Sequence, residues 1–156
     1  MTRWLDEDEQ RAWLRLAGVM LKLSPALDSQ LQRDSALTHF DYLCLAMLSE
    51  SADRTLRMSE LANRTNASLS RLSHVVSKLE KRGWVARAPS PDSRRVTLVA
   101  LTDEGWTQLV GAAPGHVETV RSLVFEGLSP DDVAALERLA GHIVDALEAS
   151  RLRTTT

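Results

Sequence analysis

Ser68-Leu69-Ser70-Arg71-Leu72-Ser73-His74-Val75-Val76-Ser77-Lys78-Leu79-Glu80-Lys81-Arg82-Gly83 is the stretch on which the reading of this chain turns. Leu69, Leu72, Val75, Val76 and Leu79 recur at steps of three or four, which predicts one buried stripe of an α-helix. Ser68 stands where a helix is capped, and Gly83 where a helix is closed. The remaining face carries Ser70, Arg71, Ser73, His74, Ser77, Lys78 and Lys81, with no acidic residue among them. Past Gly83 the period changes. Trp84–Ala88 and Arg95–Leu101 are rich in β-formers, and Pro89-Ser90-Pro91-Asp92-Ser93-Arg94 between them is turn chemistry. A hairpin with a projecting loop is expected there.

Upstream, Met58-Ser59-Glu60-Leu61-Ala62 reads as a small helix capped by Ser59. A helix over Thr38–Glu50 is capped by Thr38 and turns Leu43, Met47 and Leu48 inward. Trp13, Leu16, Ala17, Met20, Leu23, Leu27 and Leu31 mark one face of a long helix starting near Trp4, with a kink or restart at Ser24-Pro25. Downstream, Thr102 caps a helix whose first turn holds Asp103 and Glu104, and Gly111, Pro114 and Gly115 should bend or break it. Ser129-Pro130-Asp131-Asp132 starts a last helix with Val133, Leu136, Leu139, Ile143 and Leu147 on its apolar face. Two helices, a short one, a longer one, a hairpin and two more helices make a mainly α chain with a small β-hairpin wing. The expected fold is therefore a winged helix–turn–helix at residues 37–101. Dimerisation helices flank it at residues 1–36 and 102–156, their stripes being too wide for one small core.

The 156 residues are 44% hydrophobic and 26% charged, an ordinary globular balance. A single cysteine precludes an internal disulfide and fits a reducing compartment. Asp6-Glu7-Asp8-Glu9 is acidic where a secretory signal would be basic. The longest apolar run, Tyr42–Leu48, is far shorter than a bilayer span. A cytoplasmic protein without a membrane partner is expected.

The net charge of −2 argues against a nucleic-acid binder until it is divided along the chain. Residues 54–95 hold ten basic and three acidic side chains, a net of +7, and the remainder carries −9. That segregation is the electrostatic footprint of a DNA-binding module. Ser68, Ser70, Arg71, Ser73, His74 and Lys78 supply the hydroxyls and cations suited to phosphates and base edges in a major groove. Arg94 and Arg95 suit the narrow minor groove beside it, and Asp92 is expected to hold one of them in place.

From Leu56 to Thr102, Leu-Arg-Met-Ser-Glu-Leu-Ala, Ser-Arg-Leu-Ser, Leu-Glu-Lys-Arg-Gly-Trp-Val, Asp-Ser-Arg-Arg and the following Leu-Thr-Asp-Glu-Gly resemble the MarR family of bacterial transcription regulators. Leu27–Asp34 and Pro114–Val117 are similar to an actinobacterial branch of it. The resemblance implies an obligate homodimer, built by the terminal helices, that binds double-stranded DNA at a pseudo-palindromic operator, as a repressor. It places the recognition helix on Ser68–Lys78 and the wing arginines on Arg94 and Arg95.

The resemblance also implies release by a small aromatic acid, antibiotic or phenol. The candidate lining is Trp13, Met20, His39, Phe40, Tyr42, Leu43 and Met47, with Arg87 at a position used by some relatives. Apolar spacing on a helix equally describes plain core packing of these residues. Cys44, inside an apolar run, departs from the peroxide-sensing pattern and reads as a buried, inert thiol. Only His39 and His116 could begin a zinc site, and no further cysteine or spaced histidine joins them, so no metal or cofactor is expected.

A winged helix that binds another protein remains an alternative, which retention on heparin would distinguish. An enzyme finds no support. No paired carboxylates, Ser-His-Asp set or phosphate loop stands at a workable spacing, and His142 with Asp145 reads as a surface pair.

Overall fold

The computed structural model describes residues 1–154. It divides into two compact units, residues 1–119 and residues from 120 onward. The first unit opens with α1 (Glu7–Ser35) and α2 (His39–Ser49). A short strand β1 (Thr55–Arg57), α3 (Met58–Arg64) and α4 (Leu69–Lys81) follow. The hairpin strands β2 (Val85–Ser90) and β3 (Ser93–Leu101) then lead into α5 (Asp103–Val120). The second unit holds a π-helical stretch, Arg121–Phe125, and α6 (Pro130–Thr154). Among the described residues no helix is long and apolar enough to cross a membrane.

The core lies where the helix–turn–helix meets the sheet. Leu72, Val76 and Leu79 of α4 pack with Leu45 and Leu48 of α2, Leu61 of α3 and Val99 of β3. Leu31 of α1 and Leu109 and Ala112 of α5 join the same core, so these two helices anchor against the winged helix. Burial on α2 centres on Cys44, Leu45 and Leu48, leaving Leu43 and Met47 half-buried. Leu69, expected in the α4 stripe, is 57% exposed. It is the first residue of the helix and projects beyond the core.

Several boundaries differ from the expected ones for local reasons. Helix α1 starts at Glu7, where the Asp6 carboxylate caps the Glu9 N–H and Glu9 returns a bond to the Asp6 N–H. The acidic run is thus a capping box. The helix continues through Pro25 without a restart, because one proline removes only one backbone bond while Leu27 and Leu31 hold the following turns in the core. Ser59 is not the cap of α3; Arg57 occupies that position, with no side-chain bond. Helix α5 likewise runs unbroken across Gly111, Pro114 and Gly115.

β1 was not anticipated. Its three residues pair antiparallel with β3, Leu56 opposite Val99, giving the sheet order β1-β3-β2. The expected six-residue loop is only a Pro91–Asp92 turn, since β2 and β3 extend to the Ser90–Ser93 pair. The register shifts between Pro89 and Ser90, and Arg94, Arg95 and Val96 consequently have no paired partner on β2. Pro89 offers no N–H to the ladder, which favours such an irregularity.

The end of the wing is locked to α5 by a close approach. Thr102 Oγ1 accepts the Gly105 N–H at 3.0 Å and donates to the Gly83 carbonyl at 2.6 Å. Gly83 takes φ of +76° to make this turn. A Cβ on Gly105 would stand 2.0 Å from the Trp84 carbonyl oxygen, whereas one on Gly111 meets nothing within 4 Å. Gly105→Ala should therefore cost about 3 kcal/mol of stability through a backbone clash. Gly111→Ala should gain about 0.5–1 kcal/mol by removing helix-interior entropy. Denaturant melts of the two variants check the contrast.

Candidate nucleic-acid interface

The turn before α4 aims its N-terminus. Asn66 takes a left-handed φ of 54°, and the Ala67 N–H bonds back to the Ala62 carbonyl at 2.9 Å, closing α3 onto α4. Ser68 Oγ accepts the Arg71 N–H at 3.2 Å, so this hydroxyl serves as the cap. The α4 residues left open are Ser70, Arg71 and His74, with Lys81 at the far end, all exposed. Ser73 is half-buried, and its carbonyl accepts from the Ser77 hydroxyl. The Arg71 guanidinium lies 4.2 Å from the centroid of the Phe40 ring.

Lys78 departs from its expected place on the open face. Its Nζ donates to Asp41 Oδ2 at 2.7 Å and lies 2.6 Å from Oδ1. The Asp41 side chain is only 2% exposed, so this ammonium neutralises a buried carboxylate. Asp41 Oδ2 also accepts the Thr38 N–H at 2.9 Å, completing the capping box of α2.

Arg94 and Arg95 on the wing are exposed and have no ion pair among the described residues. Asp92 does not hold either of them. It forms no ion pair there, and its N–H donates to Ser90 Oγ at 3.3 Å, a contact local to the turn. Arg87 is clamped by Glu80, whose oxygens accept from its Nε at 3.0 Å, its Nη2 at 2.8 Å and its backbone N–H at 3.0 Å. These bonds hold the Glu80 carboxyl below its usual pKa. A side chain held this way is not free to line a ligand site.

The ion pairs sort the charge. Arg64 and Arg87 pair with Glu60 and Glu80 inside the basic segment, and Arg54 and Lys78 with Asp103 and Asp41 outside it. Among the described residues, Arg57, Arg71, Lys81, Arg82, Arg94 and Arg95 are left without an acidic partner. These cations belong to the start of α3, to α4 and its end, and to the wing. Arg82 instead donates to the Ala36 carbonyl at 2.8 Å and stacks 4.8 Å from the Trp84 ring.

The fold and the sequence are similar to those of proteins of known class. A sequence model of the MarR family matches residues 37–97, from the entry to α2 through most of β3. Sco3205 of Streptomyces coelicolor, a MarR family transcriptional regulator solved in complex with DNA, is similar in structure. Its TM-score is 0.91 and its sequence identity 41%, over 94% of this chain and 92% of that one. The chain belongs to the MarR family of DNA-binding transcription regulators. Members of this family are transcription regulators and not enzymes. Two regulators of Bacillus subtilis are also similar. The uncharacterised YfiV is 35% identical over 62% of this chain, and the repressor YetL is 26% identical over 71%. The chain spans 60% and 66% of their respective lengths.

In this MarR-family chain the expected effector residues do not all meet. Tyr42 and His116 rings lie 4.3 Å apart, His39 and His116 5.6 Å apart, and the His39 N–H donates to Asp28 Oδ1 at 2.9 Å. His116, which was paired with His39 only as a possible metal ligand, is thus the centre of this cluster, and its Nδ1 is buried without a hydrogen bond. Burial lowers the pKa of His116 and of His39, the latter against the opposing pull of Asp28, and both rings are neutral at pH 7. Among the described residues, no group of three or more metal-binding side chains forms.

Trp13 does not sit beside His39 as expected. It precedes Asp28 by fifteen residues on one continuous helix, which at about 1.5 Å per residue separates them by about 22 Å. Trp13 and Met20 are instead half-exposed on α1. Cys44 is fully buried, and burial together with the nearby Asp41 charge pushes its thiol up to about 12. It is protonated at pH 7 and should react with a thiol reagent only on unfolding, which a DTNB time course with and without denaturant checks.

The Lys78–Asp41 pair gives a second expectation. Lys78→Ala strands a buried carboxylate and should cost about 2–3 kcal/mol, short of a fully buried pair because Lys78 keeps some solvent. Arg94→Ala removes an exposed side chain that forms no ion pair among the described residues and should leave stability within about 0.5 kcal/mol. Parallel urea melts separate the structural cation from the free one.

Proposed function

We propose that this chain is a sequence-specific transcriptional repressor that acts in the cytoplasm as a homodimer on a pseudo-palindromic operator. The observation that carries this reading is the sorting of charge. Within residues 54–95, four cations are neutralised by carboxylates, while the unneutralised ones stand at the start of α3, on α4 and its end, and on the wing. A protein-binding winged helix has no need for this division, whereas a duplex needs one element at base edges and another on phosphates or in the adjacent minor groove. The DNA complex of the similar Sco3205 and the repressor activity of YetL support the same direction.

Dimerisation is supported by apolar faces that the single chain leaves uncovered. On α1 these are Trp13, Leu14, Met20 and Leu21, and on α6 Leu136, Leu139, Ile143 and Leu147. A second copy covers such faces at no cost in polar burial. Two α4 helices then reach half-sites about one helical turn apart. The His39–Tyr42–His116 cluster is the part of the fold suited to a small aromatic or phenolic effector. It combines ring faces with a buried nitrogen lacking a partner.

Binding to promoter duplexes, followed by anisotropy across a salt series, tests the reading. Arg94→Ala should flatten the plot of log affinity against log salt by about two in slope, one phosphate contact per wing of the dimer. Arg71→Ala should instead equalise affinity across operator variants. An unchanged slope for the first sinks the wing assignment, and a protein with no salt-dependent DNA affinity sinks the whole reading.

A further inference from the structure

The first turn of α2 touches three other helices through four consecutive residues. His39 reaches Asp28 of α1 with its backbone N–H, and the Tyr42 ring lies tilted against His116 of α5. Phe40 and Asp41 between them both grip α4, at Arg71 and Lys78. Those two residues are seven apart, two helical turns, and therefore rise from the same side of α4.

The two grips differ in chemistry. Asp41 neutralises Lys78 and removes its charge from the surface. Phe40 holds Arg71 without neutralising it, since Arg71 has no carboxylate partner among the described residues. Stacking uses the face of the guanidinium plane, while its five N–H donors radiate from the edge. An arginine laid on a ring thus loses rotamer freedom yet keeps its full charge and its hydrogen-bonding fork. Bidentate reading of a guanine in a major groove demands that state.

We propose that Phe40, outside the DNA-facing helix, is a positioning residue that sets sequence specificity by holding the Arg71 fork in its reading orientation. The inference rests on the DNA-binding reading above. Phe40 is half-buried at the margin of the core, so removing its ring need not open the fold. Ordering Arg71 beforehand spares that cost at the moment of binding, once in each half-site.

The test uses the full-length protein and duplexes that the wild type enriches from a randomised pool, together with their single-base variants. Phe40→Leu and Phe40→Met keep apolar bulk and remove the ring. Each should weaken the enriched duplex about tenfold and relax discrimination at one base pair per half-site. The salt slope should not change, because no charge is lost. Phe40→Tyr, which keeps the ring, should restore wild-type discrimination, and Phe40→Leu should add nothing on an Arg71→Ala background. Melting curves identify any variant that fails to fold, and the folded ones decide. The proposal falls if the ring-less variants keep the wild-type base preferences, or if their loss adds in full to that of Arg71→Ala. If the wild type enriches no sequence at all, the DNA-binding reading fails first and takes this proposal with it.

Discussion

Asp41 carries a charge into the interior, and the placement of α4 depends on how that charge is satisfied. The carboxylate is shielded from water and accepts from the Thr38 N–H and the Lys78 ammonium. The first bond starts α2, and the second ties α2 to the last turn of α4 across 37 residues of sequence. A buried carboxylate tolerates little movement of its partners, because every lost bond is a desolvated charge left uncompensated. This ion pair ties α4 to α2 beside the core that Leu72, Val76 and Leu79 fill.

That constraint explains why a count of basic residues overstates the interface. Four of the ten cations in the basic segment have a carboxylate within ion-pairing distance, and they serve the fold's own joints: the turn before β1 to α5, α3 to itself, α4 to α2, and α4 to β2. The remainder are held by aromatic faces or carbonyls, or not at all. Arg71 on Phe40 and Arg82 on Trp84 and the Ala36 carbonyl keep their charge while losing freedom. Arg94 and Arg95 are released by the register shift at Pro89. The local field thus concentrates on residues that are either preorganised or free to reach.

The helix–turn–helix and the wing were legible because their signals are local. The period of Leu72, Val76 and Leu79, the Thr38, Ser68 and Thr102 caps and the change of period at Gly83 all act within a few residues. What escaped the sequence depends on distant partners. β1 is three residues whose strand character comes from β3, more than forty residues later. Pro25 and Pro114 look like breaks, but each costs a single backbone bond, and packing carries the helix through. Lys78 has the spacing of a face residue, and nothing nearby announces Asp41. The capping box of Asp6 and Glu9 is a local signal too, since both of its bonds close within three residues.

Helix α1 supplies the last constraint. Its first twenty residues, from Glu7 to Ala26, include none that is buried, yet they are helical throughout. A helical segment of that length without tertiary cover is marginal in water, and its apolar face gains nothing from solvent. A second copy of the chain supplies the missing cover in the proposed dimer. The same geometry decides what Trp13 can do. Within one chain the length of α1 holds it away from the His39–Tyr42–His116 cluster, so Trp13 belongs to the uncovered apolar face that the proposed dimer would bury.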